Sequence, residues 1–241
     1  MGLYVIADLH LSTNQETDKP MNVFGKRWTD HTDKIIKNWK ALVSDSDTVI
    51  IPGDISWALT LEEAVDDLKL IDSLPGKKLL SKGNHDYWWT TAKKIRECFD
   101  KNGITSIDIL YNNAHRIGDI IVAGTRGWYN DGSLKMPPNT DYDKLVNREN
   151  ERLKFSLNAA KALEAECKNS KTVVFFHFPP ARAGFVCRPL IDTLKEYGIT
   201  ECYYGHIHGD YTSPQTANFE GISMSLISAD FLNFVPYRIN A

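Results

Sequence analysis

Carboxylate, amide and imidazole side chains gather in five short clusters of this chain: Asp8-Leu9-His10, Gly53-Asp54, Gly83-Asn84-His85-Asp86, His177 and Gly205-His206-Ile207-His208. Each cluster closes an apolar or β-branched run, and together they hold five of the seven histidines. Hard oxygen donors mixed with imidazole nitrogens suit Mn, Fe or Zn, and the lack of cysteine ligands argues against a closed structural zinc site. The chemistry such a set serves is hydrolysis at a pair of divalent ions.

Spacing supports this reading. In an extended segment residues i and i+2 point the same way, so Asp8 and His10, like His206 and His208, face one point without needing a helix. Glycine before Asp54, Asn84 and His206 permits a tight turn or a close backbone approach where the strand ends. Asp-x-His alone arises readily by chance. Gly-Asn-His-Asp is expected on the order of 0.002 times and Gly-His-x-His about 0.01 times in a chain of this composition.

The elements that must position these residues alternate. Apolar runs at 3–7, 48–51 and 78–80 are separated by helical patterns through Ile35, Ile36, Trp39, Leu42 and Val43 and over 61–74, which predicts β-α-β units. Open α/β sheets place ligands at the carboxyl ends of their strands, where Asp8, Asp54 and Asn84 fall. Residues 90–102 read as a helix capped by Thr90 or Thr91 and stopped by Gly103. Runs at 107–111 and 120–124 read as hairpin-linked strands joined through Asn112-Asn113 and Gly118-Asp119. A long helix is predicted over 141–168, a strand over 172–176 running into His177, a helix over 190–197 closed by Gly198, and strands at 201–204, 222–228 and 233–239. Metal candidates come from both ends of the chain, so a single domain spanning 1–241 is expected. Two stretches of little periodicity, 12–28 and 126–140, are either loops that shape a substrate site or plain surface.

Bulk properties narrow the classes. The chain has 241 residues, 42% hydrophobic and 24% charged, the balance of an ordinary globular protein. A net charge of −3 provides no basic field for nucleic acid, so a polyanion would have to be held locally. Cys98, Cys167, Cys187 and Cys202 form no C-x-x-C pair and read as buried free thiols. No secretory leader and no transmembrane-length run is evident, which predicts a cytoplasmic, reduced protein that does not engage a membrane.

The order Asp8-x-His10, Gly53-Asp54, Gly83-Asn84-His85-Asp86, His177, Gly205-His206-x-His208 resembles the calcineurin-like metallophosphoesterase family, with all five blocks present between residues 8 and 208. The resemblance implies an α/β fold, a four-layer α/β/β/α sandwich of two mixed sheets. It implies two divalent cations (Mn, Fe or Zn), one held by Asp8, His10, Asp54 and His208 and the other by Asp54, Asn84, His177 and His206, with Asp54 bridging. Such a pair acidifies a shared water, so that hydroxide attacks phosphorus in line. His85 would protonate the leaving oxygen or stabilise charge, and Asp86 would hold its imidazole; alternatively Asp86 caps a helix or turn.

The implied function is that of a metal-dependent phosphoesterase acting on a phosphate ester, with a small-molecule or nucleotide phosphodiester as the first expectation. A phosphomonoesterase, protein phosphatase or exonuclease is the alternative. A non-catalytic scaffold of the same fold is a third reading, against which stand His85 and the intact set of ligands. Arg182 is a candidate phosphate contact. Trp57, Trp88 and Trp89 flank the clusters and either stack on a substrate ring or pack the core. His31 and His115 lie outside every block and read as structural.

Overall fold

Residues 1–14, 19–128, 141–167 and 169–239 are described by a computed structural model. The strongly apolar runs pair into two sheets. The first has the order β13-β1-β2-β3-β4, from β1 (Leu3–Val5), β2 (Thr48–Pro52), β3 (Lys77–Ser81), β4 (Ile107–Ile109) and β13 (Tyr237–Ile239); all pairings are parallel except that of β13 with β1. The second has the order β11-β12-β10-β7-β6-β5. In it β6 (Ile120–Thr125), β7 (Lys171–Phe176), β10 (Glu201–Tyr204) and β12 (Ile222–Leu226) run parallel, between antiparallel edges β5 (Ala114–Ile117) and β11 (Thr216–Phe219). A small hairpin joins β8 (Ala181–Arg182) to β9 (Phe185–Val186).

Period-two alternation sorts the side chains into layers. Leu3, Val5, Ile50 and Leu79 of the first sheet meet Val122, Val173, Phe175 and Tyr203 of the second in one buried cluster between the sheets. The alternate residues Tyr4, Val49, Ile51 and Leu80 turn outward and pack with Ile35 and Trp39 of α1 (His31–Leu42), Leu68 and Ile71 of α2 (Val65–Asp72) and Ile95 and Phe99 of α3 (Ala92–Asn102). Likewise Val174, Phe176, Cys202 and Tyr204 pack with Leu153 and Leu157 of α4 (Tyr142–Glu166) and Leu190 and Leu194 of α5 (Arg188–Glu196). The result is two mixed sheets flanked by helices, as expected. Among the described residues no helix is long and apolar enough to cross a membrane.

Several local signals act as the sequence suggests. Thr91 Oγ1 accepts the Lys94 N–H at 3.3 Å, and Gly103 ends α3 at φ 68°. Asp141 caps α4 by accepting the Lys144 N–H at 3.0 Å. The expectation that runs 107–111 and 120–124 form a hairpin is corrected. β4 pairs in parallel with β3 in the first sheet, while β6 belongs to the second. Asn113 ends β4 by accepting the Tyr111 N–H at 2.7 Å, and Asn112 sits at φ 57°, so this pair carries the chain from one sheet to the other. The hairpin is instead β5–β6 around Gly118-Asp119. Only the last three residues of the 233–239 run form a strand, because Asn233 and Phe234 turn at φ 54° and 61°. Of the two aperiodic stretches, residues 15–18 and 129–140 lie outside the described residues; Met21–Phe24 and Lys26–Trp28 are short 3-10 turns.

The sheets meet at their carboxyl ends. Ala7 donates its N–H to Ile227 O at 2.9 Å and accepts the Ala229 N–H at 2.9 Å, so the chain leaving β1 pairs with the chain leaving β12. All five ligand-bearing segments emerge at this seam. Phe175, fully buried between the sheets and stacked 5.4 Å from Tyr203, tests the face-to-face packing. Phe175→Ala is expected to cost about 3–5 kcal/mol in urea denaturation; a loss below about 1 kcal/mol would contradict the layered core.

Candidate metal centre

Segments that leave β1 and β2 continue to pair beyond the sheet. Asp8, His10 and Leu11 donate their N–H groups to Gly53, Asp54 and Ile55 carbonyls at 3.0, 2.9 and 2.9 Å. Within this scaffold Asp8, His10, Asp54 and His206 adopt left-handed backbone conformations, with φ of 61°, 46°, 51° and 67°. Asp and His tolerate this region better than most residues, but each instance still costs of order 1 kcal/mol and persists only where its surroundings enforce it. Gly83 and Gly205 make the close approach possible: a Cβ on Gly83 would overlap Asp54, and one on Gly205 would overlap Asp8.

Each carboxylate uses one oxygen as an anchor and presents the other. Asp8 Oδ2 accepts the His206 N–H at 2.9 Å, and Asp54 Oδ1 accepts the His85 N–H at 2.8 Å. Asp8 Oδ1, fully buried, makes no hydrogen bond, although the Ser228 hydroxyl favours the ionised form. Asp54 Oδ2 faces His10 Nε2 at 3.8 Å and His177 Nε2 at 3.5 Å.

Ligand atoms fall into two groups, Asp8 with His10 and His208, and Asp54 with His177 and His206; within each, the atoms lie within 4.8 Å of one another. His177 Nδ1 faces the Pro52 carbonyl at 3.3 Å, which can only accept, so Nδ1 carries the proton. Nε2 then directs its lone pair toward Asn84 Oδ1, 2.6 Å away and also an acceptor. Two acceptors so aimed are a favourable arrangement when a cation lies between them. His10 Nε2 and His208 Nε2 also face each other, at 3.3 Å.

The electrostatics point the same way. Burial pushes the Asp8 carboxyl up to about 8, with Asp54 adding to the rise against the pull of His208, and burial also raises Asp54. Burial holds His10 and His177 well below the usual imidazole range, with neighbouring His208 and Arg126 respectively adding to it, and lowers His206 to about 2. These imidazoles are neutral donors at physiological pH. His208 differs: burial disfavours its charge, but the Asp230 hydrogen bond and the Asp8, Asp230 and Asp54 charges lift it to about 9. Crowded carboxylates out of water, orphaned acceptor atoms and neutral imidazoles fit a pair of divalent cations.

All seven expected ligand residues and His85 converge here. His85 lines the cavity and its ring lies 4.5 Å from that of Trp57, with Nδ1 making no hydrogen bond. The expected Asp86–His85 hydrogen bond is not formed. Asp86 Oδ2 accepts the Asp54 and Gly83 N–H groups at 2.9 and 2.7 Å, while Oδ1 accepts from Ile55, Ser56 and the Trp88 indole at 2.8, 3.3 and 3.1 Å. Five donors saturate the carboxylate, so Asp86 fixes the two loops that carry Asp54 and Asn84, as the turn-cap alternative has it. Arg182 is paired with Asp210 and donates to Tyr204 Oη at 2.9 Å; its charge is already matched and it does not line the cavity. Trp88 and Trp89 are core, whereas Trp57 lines the cavity and stacks on His10 at 5.0 Å. His31 bonds to the carbonyl of His10 and His115 to that of Ile109, at 3.2 Å each, and neither belongs to the ligand groups.

Sequence reasoning missed Asp230 and Trp28. Asp230 Oδ1 accepts from His208 Nδ1 at 2.8 Å, which directs Nε2 toward the site, and Oδ2 accepts the Gly209 N–H at 3.1 Å. The available signal was its place after the β12 run, the position that Asp8 and Asp54 occupy after theirs. Trp28 packs edge-on to His10 and His208, with ring centres 5.8 and 5.5 Å apart; nothing in its local sequence marks it.

The model of the calcineurin-like phosphoesterases matches residues 1–210. The chain belongs to this family. A calcineurin-like fold with two candidate metal sites is the equipment of a metal-dependent phosphoesterase. Solved structures share the fold of this calcineurin-like phosphoesterase. The phosphopantetheinyl hydrolase PptH from Mycobacterium tuberculosis is 16% identical, with 99% of this chain and 95% of that chain covered at a TM-score of 0.54. TT1561 of Thermus thermophilus is 11% identical, with 99% and 97% covered at 0.57. At these identities the likeness concerns fold alone. No curated protein matches the sequence.

Asp230→Ala is expected to lower metal affinity about 10–100-fold, measured by calorimetry with Mn, because His208 loses the partner that orients it. Unchanged affinity would show that packing alone positions His208.

Proposed function

We propose that this calcineurin-like phosphoesterase hydrolyses small-molecule phosphodiesters, nucleotides among them, with residues 1–241 forming one domain. The observation that carries the proposal is Asp54 Oδ2, which faces a ligand nitrogen of each group at 3.8 and 3.5 Å. Asp8, His10, Asp54 and His208 would hold one cation and Asp54, Asn84, His177 and His206 the other. Bound there, divalent ions supply Lewis acidity toward the phosphoryl oxygens and acidify water.

The chain's own groups complete the chemistry. The His85 side chain reaches the cavity while its backbone N–H is tied to Asp54, so its imidazole is placed to give a proton to the departing oxygen. Asp230 keeps His208 in the tautomer that ligates, and Asp86 keeps the Asp54 and Asn84 loops in register. A cavity of about 250 Å³ over the centre favours a small ester over an extended protein or nucleic-acid chain. Free thiols at Cys98, Cys167, Cys187 and Cys202 support a reducing compartment such as the cytoplasm.

Hydrolysis of p-nitrophenyl phosphate and bis-p-nitrophenyl phosphate by the Mn-loaded protein tests the reading. Turnover of the diester is expected, and on a diester with an alkyl leaving group, whose oxygen departs only with a proton, His85→Ala should lower kcat about 10²–10⁴-fold with metal content retained. Turnover of the monoester alone would remove the diesterase reading, and an unaltered kcat would remove the assigned role of His85.

A further inference from the structure

The cavity above the metal centre combines imidazole and carboxylate groups with a set of aromatic rings. Trp28, Trp57, Phe24 and Tyr211 wall it, while His10, Asp54, His206 and His208 form the base. Among the described residues, four aromatic side chains are exposed on the surface: Phe24 at 66%, Tyr87 at 60%, Phe155 at 58% and Tyr211 at 44%. Two of the four stand at this one opening, and a third lies beside His85, which lines it. Phe24 and Tyr211 line it, and the Tyr87 ring lies 6.2 Å from that of His85, nearly perpendicular to it. Scattered apolar residues on a surface need no explanation, but aromatics concentrated around the mouth of a reactive site mark a binding surface.

Part of this collar is rigid. Tyr211 Oη donates to Asp230 Oδ2 at 3.0 Å, and the Arg27 guanidinium lies 4.0 Å from the centre of the Tyr211 ring. Arg27 is itself held by the Asp230 carbonyl at 2.6 Å and by Asn233. The Trp57 indole N–H points to Met21 Sδ at 3.2 Å, leaving its ring against His10 and His85. An aromatic held in place while exposed has already lost the conformational freedom that binding would otherwise remove. No lysine or arginine is among the described residues lining the cavity, so its wall meets a substituent chiefly through aromatic rings.

Resting on the phosphoesterase reading, we infer that the cavity selects esters whose phosphoryl group carries a flat aromatic substituent, seated against Phe24 and Tyr211, with Tyr87 at the edge beside His85. Offset or edge-on contact with these rings supplies the selection, and an alkyl group of the same charge lacks it.

Phenylphosphonate and methylphosphonate carry the same head group on a bond that hydrolysis does not cleave. Calorimetric titration of the Mn-loaded protein with each separates recognition of the substituent from turnover. The phenyl compound is expected to bind about ten-fold more tightly, and the phenyl-to-methyl affinity ratio to fall at least about three-fold in Phe24→Ala and in Tyr87→Ala. Both positions are exposed, so neither variant empties the core. Equal affinities in the parent protein, or a preference that both variants retain in full, would overturn the inference and leave the phosphoesterase reading standing. Failure of both phosphonates to bind would overturn the two together.

Discussion

Two carboxylates that water cannot reach, Asp8 and Asp54, set the terms for the rest of this structure. Burial raises the proton affinity of both, and each has one oxygen committed to a backbone N–H and the other turned toward imidazole nitrogens. An ionised carboxylate in such a place is strongly disfavoured unless positive charge is near. Of the surrounding histidines, His10, His177 and His206 resist protonation, which leaves His208 as one positive charge beside two carboxylates and Asp230. Divalent cations can balance the remainder, and the same ions would bind the acceptor atoms that Asn84 and His177 direct at one another.

Holding that geometry requires the fold to press six strand ends together. β1, β2 and β3 deliver Asp8, Asp54 and Asn84 from one sheet; β7, β10 and β12 deliver His177, His206 and Asp230 from the other. The pairing of Ala7 with Ile227 and Ala229 locks the sheets at the level of the site. Left-handed backbone at four ligands is tolerated because neighbours over-determine it: the loops after β1 and β2 are zipped together, and Asp86 collects five N–H groups beneath them. Substitution at Gly83 or Gly205 would act on the metal centre directly, since the space a Cβ would fill is already occupied by a ligand carboxylate.

Much of this was legible in the sequence. Parallel strands covered on both faces appear as apolar runs, and ligands at their carboxyl ends follow from how α/β sheets are built. Thr91, Gly103 and Asp141 ended or began helices through local chemistry that needs no tertiary context. What escaped was non-local. Whether β4 and β6 share a sheet depends on which partner each finds, and two short apolar runs separated by asparagines fit a hairpin or a crossover equally well. The edges β5 and β11 carry too little burial to leave a pattern. Asp86 neighbours His85 in sequence, yet its oxygens turn to the backbone of a loop more than thirty residues earlier in the chain. Asp230 lies 22 residues beyond the histidine it orients, and no spacing rule connects the two. Glu149 and Ser156 interrupt the buried face of α4 because one meets Thr125 and Arg152 and the other meets Gly124 and Asn113, contacts fixed only by the packed sheet.

The account is tested most directly by counting ions. Titration of chelator-treated protein with Mn or Zn, followed by elemental analysis after gel filtration, should give two ions per chain, and saturating metal at about 1,000 times Kd should raise stability by about 4 kcal/mol. Asp54→Asn should reduce both the count and the stabilisation, because Asp54 Oδ2 faces a histidine nitrogen of each group. A parent protein that retains no metal and whose unfolding is indifferent to it would contradict the claim that these buried carboxylates exist to hold a pair of cations.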